Sequence, residues 1–563
     1  MTQALPTPPT SGYLQKFLQL LTSYSGPGRQ TLGVHLDGRK HLSSTQPVLS
    51  IPARAGDQLV IPLQQHMGHK PDLCVSPGDY VYKGQALAAA DGDISVPIHA
   101  STSGTIIAIE ERPIPHPSGL NDLCIILEAD GKQQPVPEQH PDYLPALADY
   151  HNQDENQLRR RICEAGIVGL GGAVFPSAIK LNVRPEVPIC TLVVNGAECE
   201  PYITCDDRLM QDKADEIIAG ALIMMHILRP HTPPDRELQC LIGIEDNKPE
   251  ALAAMRAAAE HSGEARIRVV AVPTIYPAGG EKQLIKVLTG REVPSGQRPA
   301  DIGMICHNVA TARAIYRAVV LGEPLISRYV TVTGAGIDQP QNVEVPFGLP
   351  MARIIEAMGG YTAQAGQLVM GGPMMGISLS TDAIPVVKAT NCILVNPPPP
   401  PSLTEVMPCI RCGRCAEHCP ASLLPQQLYW HARDHDFDKV QAYHLFDCIE
   451  CGCCAYVCPS HIPLVDYYRF AKAEIRAQYH ARQKAELARE RHDFHVERLE
   501  RAKRERAEKL AKHKQKAMSA DKKDAIQAAL ERAKAKKAQQ AETAGAAEAP
   551  AQPAATRDKD SAS

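Results

Sequence analysis

Two twelve-residue windows of this sequence, CIRCGRCAEHCP at 409–420 and CIECGCCAYVCP at 448–459, contain nine of the chain's 18 cysteines. Both fit the spacing C-x2-C-x2-C-x3-C-P, with which cysteines bind pairs of [4Fe–4S] clusters. Three thiolates at i, i+3 and i+6 can bind one cubane, and the proline after the fourth cysteine turns that thiolate toward the other cluster. Zinc sites usually consist of C-x2-C pairs, so the spacing favours iron–sulfur clusters over zinc.

The pattern assigns eight of these cysteines to two clusters, each completed by the last cysteine of the opposite window. The first ligand set is predicted to be Cys409, Cys412, Cys415 and Cys458. The second ligand set is predicted to be Cys448, Cys451, Cys454 and Cys419. Cys453 lies between ligands but outside the pattern, so we expect it to be packed or hydrogen-bonded and not to bind iron.

A glycine-rich stretch, GIVGLGGAVFPSAIKL, could bind a phosphate group. Its glycines Gly169, Gly171 and Gly172 would let the backbone approach an anion closely. A helix predicted to follow would point its N-terminus at the anion, and Lys180 could add a positive charge. The stretch fits neither G-x-G-x-x-G nor the P-loop, so a simple turn is the alternative interpretation.

Polar residues cluster after two predicted strands. The stretch NGAECEPYITCDDRLM places Asn195, Glu198 and Glu200 directly after a buried strand. The stretch YPAGGEKQLIKVLTG places Glu281 at a strand-to-helix junction. With the glycine-rich loop, these stretches would outline a crevice at the carboxyl ends of parallel strands, where α/β sheets bind ligands. Solvated loops are the alternative for each stretch.

The elements that must position these residues alternate between strand and helix over 150–325. TLVVNGAE, ELQCLIGIED and ARIRVVAVP are apolar enough to form buried strands. KADEIIAGALIMMHIL and PEALAAMRAAAE, which lie between them, are predicted helices. Strands interleaved with crossover helices predict an α/β sheet.

Further modules flank this α/β domain. Residues 51–132 resemble a biotinyl/lipoyl-like barrel-sandwich hybrid domain through VSPGDYVYKGQALA and PIHASTSGTIIAI. Carrier domains present a lysine on the hairpin that reads DGDISVPIHA here; since this hairpin has none, we expect a scaffold. Period-two alternation over 326–395 predicts strands, and with the short helix LPMARIIEAMGG this part resembles a small β-grasp (SLBB-like) module. Five consecutive prolines then predict a stiff spacer before an α-helical dicluster ferredoxin domain at 402–470.

Charge is distributed unevenly along the chain. Residues 471–540 contain 21 Lys and Arg against 11 Asp and Glu, whereas the rest contains 38 against 52. The tail, 471–563, is therefore predicted to be basic, helical and then disordered, either simply solvated or lying near anionic lipid. Its lack of interleaved aromatic residues and the acidic body argue against nucleic acid.

The N-terminal segment, 1–50, contains YLQKFLQLLTSY at 13–24, a predicted amphipathic helix that could contact a membrane complex. The sequence has neither a signal peptide pattern nor an apolar run long enough for a membrane span. We therefore expect the protein in the cytoplasm, where clustered cysteines favour metal binding over disulfides.

The order of these modules resembles the C subunit of Rnf/Rsx electron transport complexes over essentially the whole chain. The resemblance rests on motifs that include GLGGAVFPSAIKL, NGAECEPYITCDDRLMQD, GIEDNKPEA, ASLLPQQLYW and CPSHIPLVDYYR. The α/β and β-grasp parts are similar, more distantly, to the flavoprotein subunit of respiratory complex I. The resemblance implies a peripheral subunit on the cytoplasmic face of the bacterial inner membrane. There it would pass electrons from NADH through FMN to the two clusters and on to membrane-embedded, ion-translocating partners.

The same resemblance implies which residues bind the cofactors. Flavin contacts are implied for Gly169, Gly171, Gly172, Lys180, Asn195 and Asn308. Catalytic roles on the nicotinamide side are implied for Glu198, Glu200, Tyr276 and Glu281. Val174 stands where the Rnf-like pattern has glycine, while Ala197, Gly280 and His307 stand where the complex I pattern has Asp, Glu and Asn. The alternative function is a soluble iron–sulfur adaptor without a flavin or NADH site.

Overall fold

The computed structural model describes residues 33–399, 405–517 and 520–543, and the chain divides into two units after Ala473. The amphipathic stretch 13–24, the last two of the five consecutive prolines and the end of the tail lie outside the described residues. Among the residues that are described, no helix combines the length and the apolar character needed to cross a bilayer.

Strands of two sheets form the N-terminal part of the first unit, and β1 (Leu49–Ser50), which precedes them, belongs to the six-stranded sheet described below. The strands of the two sheets are β2 (Gln58–Pro62), β3 (Asp72–Leu73), β4 (Tyr80–Val81), β5 (Ala86–Ala89), β6 (Ile98–His99), β7 (Gly104–Pro113) and β8 (Asn121–Ala129). One sheet has the order β2-β8-β7-β4 and the other β3-β5-β6. The two sheets share a buried core that includes Leu59, Ile98 and Leu127. This is the arrangement predicted for the barrel-sandwich domain.

A four-stranded parallel sheet follows, with the order β11-β10-β9-β12. Its strands are β9 (Thr191–Gly196), β10 (Gln239–Glu245), β11 (Ile267–Val272) and β12 (Met304–Asn308). Seven helices surround it: α1 (Glu155–Glu164), α2 (Ser177–Lys180), α3 (Cys205–Asp212), α4 (Ala214–Leu228), α5 (Pro249–His261), α6 (Glu281–Thr289) and α7 (Val309–Tyr316). The predicted alternation of strands and helices is confirmed.

Both faces of this parallel sheet are buried. Leu192 and Ile242 pack into one apolar cluster, and their neighbours Val193 and Leu241 pack into another. A strand that is buried on both faces needs apolar residues at nearly every position, which explains why these strands are almost continuously apolar in the sequence. Because the chain continues from β9 to β10 on one side and returns as β12 on the other, the loops after β9 and β12 diverge and leave a crevice at the carboxyl edge.

A mixed six-stranded sheet completes the larger part of the first unit, in the order β1-β14-β13-β17-β15-β16. Its remaining strands are β13 (Ser327–Thr333), β14 (Gln341–Pro346), β15 (Gln367–Met370), β16 (Ile377–Leu379) and β17 (Cys392–Asn396). One helix, α8 (Met351–Ala357), packs on it. Strand β1 reaches back from the N-terminal segment to pair in parallel with β14.

The cysteine windows fold as two copies of one local structure. Four short helices lie here: α9 (Arg414–Glu417), α10 (Pro425–Arg433), α11 (Phe437–Ala442) and α12 (Cys453–Tyr456). Equivalent positions of the two windows share a left-handed backbone, in the pairs Arg411 and Glu450, Gly413 and Gly452, Ser422 and His461. The repeat in the sequence is therefore also a repeat of backbone conformation.

The last described elements are two helices, α13 (Leu464–Ala517) and α14 (Ala520–Thr543). Within the second unit, nearly all described side chains after Ile475 are exposed, including Phe494 and Leu510. A helix with so few buried apolar groups gains little from packing.

Candidate functional site

A cleft of about 740 Å³ opens at the carboxyl edge of the parallel sheet. Its lining includes every residue predicted for the flavin and the nicotinamide: Gly169, Gly171, Gly172, Lys180, Asn195, Glu198, Glu200, Tyr276, Glu281 and Asn308. They come from the glycine-rich loop and from the ends of β9, β11 and β12. A cleft of this size and position is typical of cofactor sites in α/β proteins.

The glycine-rich loop folds tightly against β12. A Cβ atom on Gly171 would lie 3.3 Å from Cβ of Asn308, and Gly172 has a φ of +110°. The backbone conformation at Gly172 therefore favours glycine, and a side chain at Gly171 would require Asn308 to shift by a few tenths of an ångström. The helix that follows is the single turn Ser177–Lys180. So short a helix has a weak macrodipole, and the role of its N-terminus in binding an anion stays a prediction.

Two asparagines hold the ends of the strands together. Asn195 and Asn308 face each other in the register of β9 and β12. The Asn195 amide donates to the Gly279 carbonyl at 2.8 Å, and the Asn308 amide donates to Asp206 Oδ2 at 2.6 Å. Asn308 also caps α7 by accepting from the Ala310 amide. Both side chains therefore build the frame of the cleft as well as lining it.

Glu198 is buried, and its carboxylate caps a helix. Its oxygens accept from the backbone amides of Asp206 and Asp207 at 2.8 and 3.3 Å, at the start of α3. The Lys248 ammonium lies 3.6 Å from Glu198 Oε2 and donates to the Glu198 carbonyl at 3.1 Å. Burial, followed by the charge of Glu198, raises the pKa of Asp206 to about 6. The cleft therefore contains a carboxyl group that titrates near neutral pH.

Glu200 connects the cleft to the mixed sheet. Its Oε1 accepts from the amides of Met374 and Met375, in the turn between β15 and β16, at 2.7 and 2.9 Å. Burial raises the pKa of this carboxyl group. Glu200 thus connects the loop after β9 to the turn of the mixed sheet.

Lys40 supports the same loop and was not predicted from the sequence. Its ammonium donates to three backbone carbonyls, at 2.6, 3.0 and 2.7 Å, those of Glu198, Glu200 and Ile203. The segment that carries Lys40 also pairs with the cleft, because the Val34 amide donates to the Tyr276 carbonyl at 2.7 Å. The N-terminal segment therefore supports the wall of the site from behind, through the backbone of residues that line the cleft.

On the opposite side of the cleft, Lys180 and Glu281 form an ion pair of 2.5 Å. Glu281 is the first residue of α6, where a carboxylate is favourable. The neighbouring His307 is buried, and burial together with the charge of Lys180 holds the pKa of its imidazole well below the usual value. His307 is therefore neutral at physiological pH.

The cleft meets the second cysteine window. Ile449, which lies between Cys448 and Cys451, is one of its lining residues. The Tyr276 hydroxyl donates to the Cys451 carbonyl at 2.6 Å. The two predicted cofactor sites therefore share a wall, a relation that the sequence did not indicate.

Two small cavities separate the eight patterned cysteines into two groups. One is lined by the second ligand set, Cys419, Cys448, Cys451 and Cys454. The other is lined by the first ligand set, Cys409, Cys412, Cys415 and Cys458. All 18 cysteines are free thiols, and all lie in described parts of the chain. Four thiols around each cavity fit the donor set of a [4Fe–4S] cluster.

The two cavities differ in their exposure. Cys451 and Cys454 are buried, whereas Cys412 is exposed and Ile410 beside it is 68% exposed. The second ligand set is therefore the more deeply buried of the two and lies next to the cleft.

Family models match four consecutive parts of the chain. They are the RnfC barrel sandwich hybrid domain over residues 29–132, the Nuo51 FMN-binding domain over 162–317, the SLBB domain over 329–378 and the 4Fe-4S dicluster domain over 408–462. Together with the cleft and the two groups of thiols, these matches define an iron–sulfur flavoprotein whose cofactors are FMN and [4Fe–4S] clusters.

The curated relatives are named as the C subunit of the ion-translocating oxidoreductase complex. The relative from Yersinia pestis bv. Antiqua is 49% identical over 79% of this chain and 69% of its own length. Those from Pectobacterium carotovorum and Pseudomonas aeruginosa are 48% and 47% identical over 83% of this chain. The chain spans 60% and 58% of the length of these last two. The chain belongs to this family, that of the C subunit of the ion-translocating oxidoreductase complex.

Among solved structures, the chain is similar to NAD+-reducing [NiFe]-hydrogenase in its H2-reduced and air-oxidized states. The identities are 17% and 18%, and the TM-scores are 0.41 and 0.39. The similarity covers 59% and 53% of this chain and 63% and 56% of those chains. Similarity at this level does not define a shared fold over the whole chain.

Proposed function

We propose that this chain is the peripheral electron-input subunit of an ion-translocating complex on the cytoplasmic face of the bacterial inner membrane. NADH is the proposed electron donor, and membrane-embedded subunits of the same complex are the proposed acceptors. The observation that carries the proposal is the shared wall between the cleft and the second cysteine window. Ile449 lines the cleft, and Tyr276 bonds to Cys451, so the two cofactor sites are in direct protein contact.

FMN, when bound, supplies the exchange between two-electron and one-electron chemistry. The chain positions it: Gly171 and Gly172 allow a close approach to the backbone, and the Lys180–Glu281 pair provides charge at the other side of the cleft. Asp206 can take up or release a proton near neutral pH, because its pKa is raised to about 6. Glu200 and Tyr276 are the proposed nicotinamide-side residues nearest the second window.

The proposal also includes the cluster ligands, the type of the module at 326–395, the position of the tail and the domain limits. The two ligand sets are proposed as predicted, and the four thiols around each cavity support them. Residues 326–395 are proposed to be a β-grasp module, and the exposed basic helices after residue 471 to lie in solvent or near anionic lipid. The predicted domain limits, 51–132, 150–325 and 402–470, are also part of it.

An anaerobic titration of the purified, reconstituted chain with NADH tests the proposal. We expect the flavin absorbance to bleach first and the paramagnetic signals of the reduced clusters to follow. Iron–sulfur absorbance without any FMN released on denaturation would instead identify the adaptor alternative. A bleached flavin with clusters that stay oxidised would remove the electron path through Tyr276 and Ile449.

Two glycine variants test whether the flavin binds in the cleft. Gly172 and Gly263 both have positive φ, +110° and +68°, and a Cβ atom on either would meet nothing within 4 Å. Both substitutions to alanine therefore strain the backbone without a clash. We expect Gly172→Ala to release FMN while iron is retained, and Gly263→Ala to retain both. Full FMN content in Gly172→Ala would exclude the loop from the flavin site.

A further inference from the structure

Leu170, in the middle of the glycine-rich loop, has both of its polar backbone groups bonded to buried side chains. Its amide donates to Thr311 Oγ1 at 2.8 Å, and its carbonyl oxygen accepts from Arg328 Nη2 at 3.1 Å. Thr311 is fully buried, and Arg328 is 4% exposed. Leu170 lines the cleft, whereas neither Thr311 nor Arg328 is among the lining residues. The two side chains therefore reach the cleft through Leu170.

Arg328 is a buried cation that binds backbone carbonyls. Besides the Leu170 carbonyl, its guanidinium donates to the carbonyl of Lys388 and, at 3.3 Å, to that of Tyr329. Burying a charge is costly unless hydrogen bonds compensate for it. If the loop moved away, Arg328 would lose one of these acceptors inside the protein, so the buried charge favours the observed position of Leu170.

The start of the glycine-rich stretch is held in a similar way, while its next two residues are left open. The buried Lys388 ammonium donates to the Gly166 carbonyl at 2.8 Å. Beyond Leu170, the amides of Gly171 and Gly172 have no acceptor among the residues that the structure describes, and both glycines line the cleft. The protein therefore fixes the loop up to Leu170 and leaves the following amides available to a ligand.

We propose that Thr311 and Arg328 are positioning residues of the flavin site, which fix the backbone of Leu170 and so hold the glycine-rich loop in the conformation that binds FMN. The inference rests on the proposed role of this cleft as the FMN site. A loop that spends only part of its time in the binding conformation binds more weakly, in proportion to that part. Both residues are far from Leu170 in the sequence, by 141 and 158 positions.

The test is a fluorescence titration with FMN of the full-length protein, with its clusters in place and its flavin removed. Thr311→Val keeps the shape of the side chain but removes the oxygen that accepts from the Leu170 amide. One buried hydrogen bond corresponds to about a tenfold change in an equilibrium, so we expect the Kd for FMN to rise about tenfold. Thr311→Ser retains the hydroxyl group and should bind FMN as tightly as the wild type. Equal Kd values for the two variants would overturn the role of Thr311.

The Arg328 variants test the other side of Leu170. Arg328→Met removes the donors and should raise the Kd for FMN at least tenfold, whereas Arg328→Lys retains a charged donor and should raise it less. Arg161→Met is the matched control, because Arg161 is also buried and donates to a backbone carbonyl, that of Pro145, at 2.9 Å, outside the cleft lining. It should leave the Kd unchanged. An equal rise in Arg328→Met and Arg161→Met would mean that general destabilisation is the cause, and would overturn the role of Arg328.

Failure of this inference differs from failure of the proposed function. A wild type that binds no FMN would contradict the flavin site itself. A wild type that binds FMN, with Thr311→Val and Arg328→Met variants of the same affinity, would contradict the positioning role alone. Thr311→Val changes few atoms, so it decides the question even where Arg328→Met does not fold. Iron content should equal that of the wild type in every folded variant.

Discussion

The hydroxyl of Tyr276 donates a hydrogen bond of 2.6 Å to the backbone carbonyl of Cys451, a residue 175 positions further along the chain. Tyr276 lines the cleft and is only 3% exposed, while Cys451 belongs to the second ligand set. One side chain therefore touches both the flavin cleft and the loop around a cluster.

Tyr276→Phe should slow electron transfer from the flavin to the clusters without slowing reduction of the flavin by NADH. The ring and its packing are retained, but the Cys451 carbonyl loses a buried hydrogen bond, which should lower the free energy of unfolding by about 1–2 kcal/mol. We expect NADH to reduce the flavin at a rate near that of the wild type and the clusters to be reduced several-fold more slowly. Stopped-flow absorbance at flavin and cluster wavelengths measures both steps.

Tyr361→Phe is the matched control, because the Tyr361 hydroxyl bonds to Asp382 at an exposed site outside the cleft lining. It should change neither rate. Cluster reduction in Tyr276→Phe at the rate of the control would show that the hydrogen bond has no part in the transfer.

Most of the correct predictions came from the spacing of cysteines and of apolar residues along the sequence. The cysteine windows and the alternation of apolar strands with helices are local patterns, and both reappear in the fold. Lys40 has no such pattern, since it contacts carbonyl groups 158 to 163 positions away. A lysine that donates to backbone carbonyls also leaves no residue-type signature at the accepting positions. Motifs placed Glu198 in the cleft, but only the fold shows that its carboxylate caps α3.

The backbone conformation of Val174 predicts how substitutions in the glycine-rich loop change stability. It adopts a φ of +44°, in the left-handed region that a β-branched residue rarely occupies. At an ordinary position alanine is more stable than glycine by roughly 0.5–1 kcal/mol. At this position we expect the reverse: Val174→Gly should be about 1 kcal/mol more stable than Val174→Ala. Both variants lose the two γ-methyl groups of valine and differ only in the Cβ atom, so the comparison depends mainly on the backbone.

Urea unfolding of the two Val174 variants, with FMN content measured in parallel, checks this order. Val174→Gly should also retain FMN at least as well as the wild type, because glycine relaxes the loop. An alanine variant as stable as the glycine variant would mean that the loop does not hold the left-handed conformation.

Lys388 should make stability depend on pH. Its ammonium is buried and donates to the Gly166 carbonyl at 2.8 Å, and burial lowers its pKa to about 7. Between pH 7 and the ordinary lysine value of about 10.4, the unfolded chain therefore binds a proton that the folded chain has lost. Stability contributed by this group then rises with pH. The nearby His99 does not interfere, since burial lowers its pKa to about 3.

Lys388→Met removes this titration. The free energy of unfolding of the wild type, measured relative to the variant, should rise by about 2 kcal/mol from pH 7 to pH 9. Urea unfolding of both proteins at several pH values measures the difference, in which other titrating groups cancel. A difference that stays constant over this range would mean that Lys388 keeps its proton in the folded protein.

The two cavities predict which cluster each window-end cysteine serves. Cys419 lines the cavity of the 448–454 thiols, and Cys458 lines that of the 409–415 thiols. Each cavity has four thiols, and a cubane that loses one of four ligands is destabilised. Cys419→Ala should therefore weaken the paramagnetic signal of the buried, second cluster first, and Cys458→Ala that of the exposed, first cluster. Cys74→Ala, at an exposed thiol in neither cavity, should leave both signals intact. Loss of the first cluster in Cys419→Ala, with the second one spared, would mean that each window binds its own cluster.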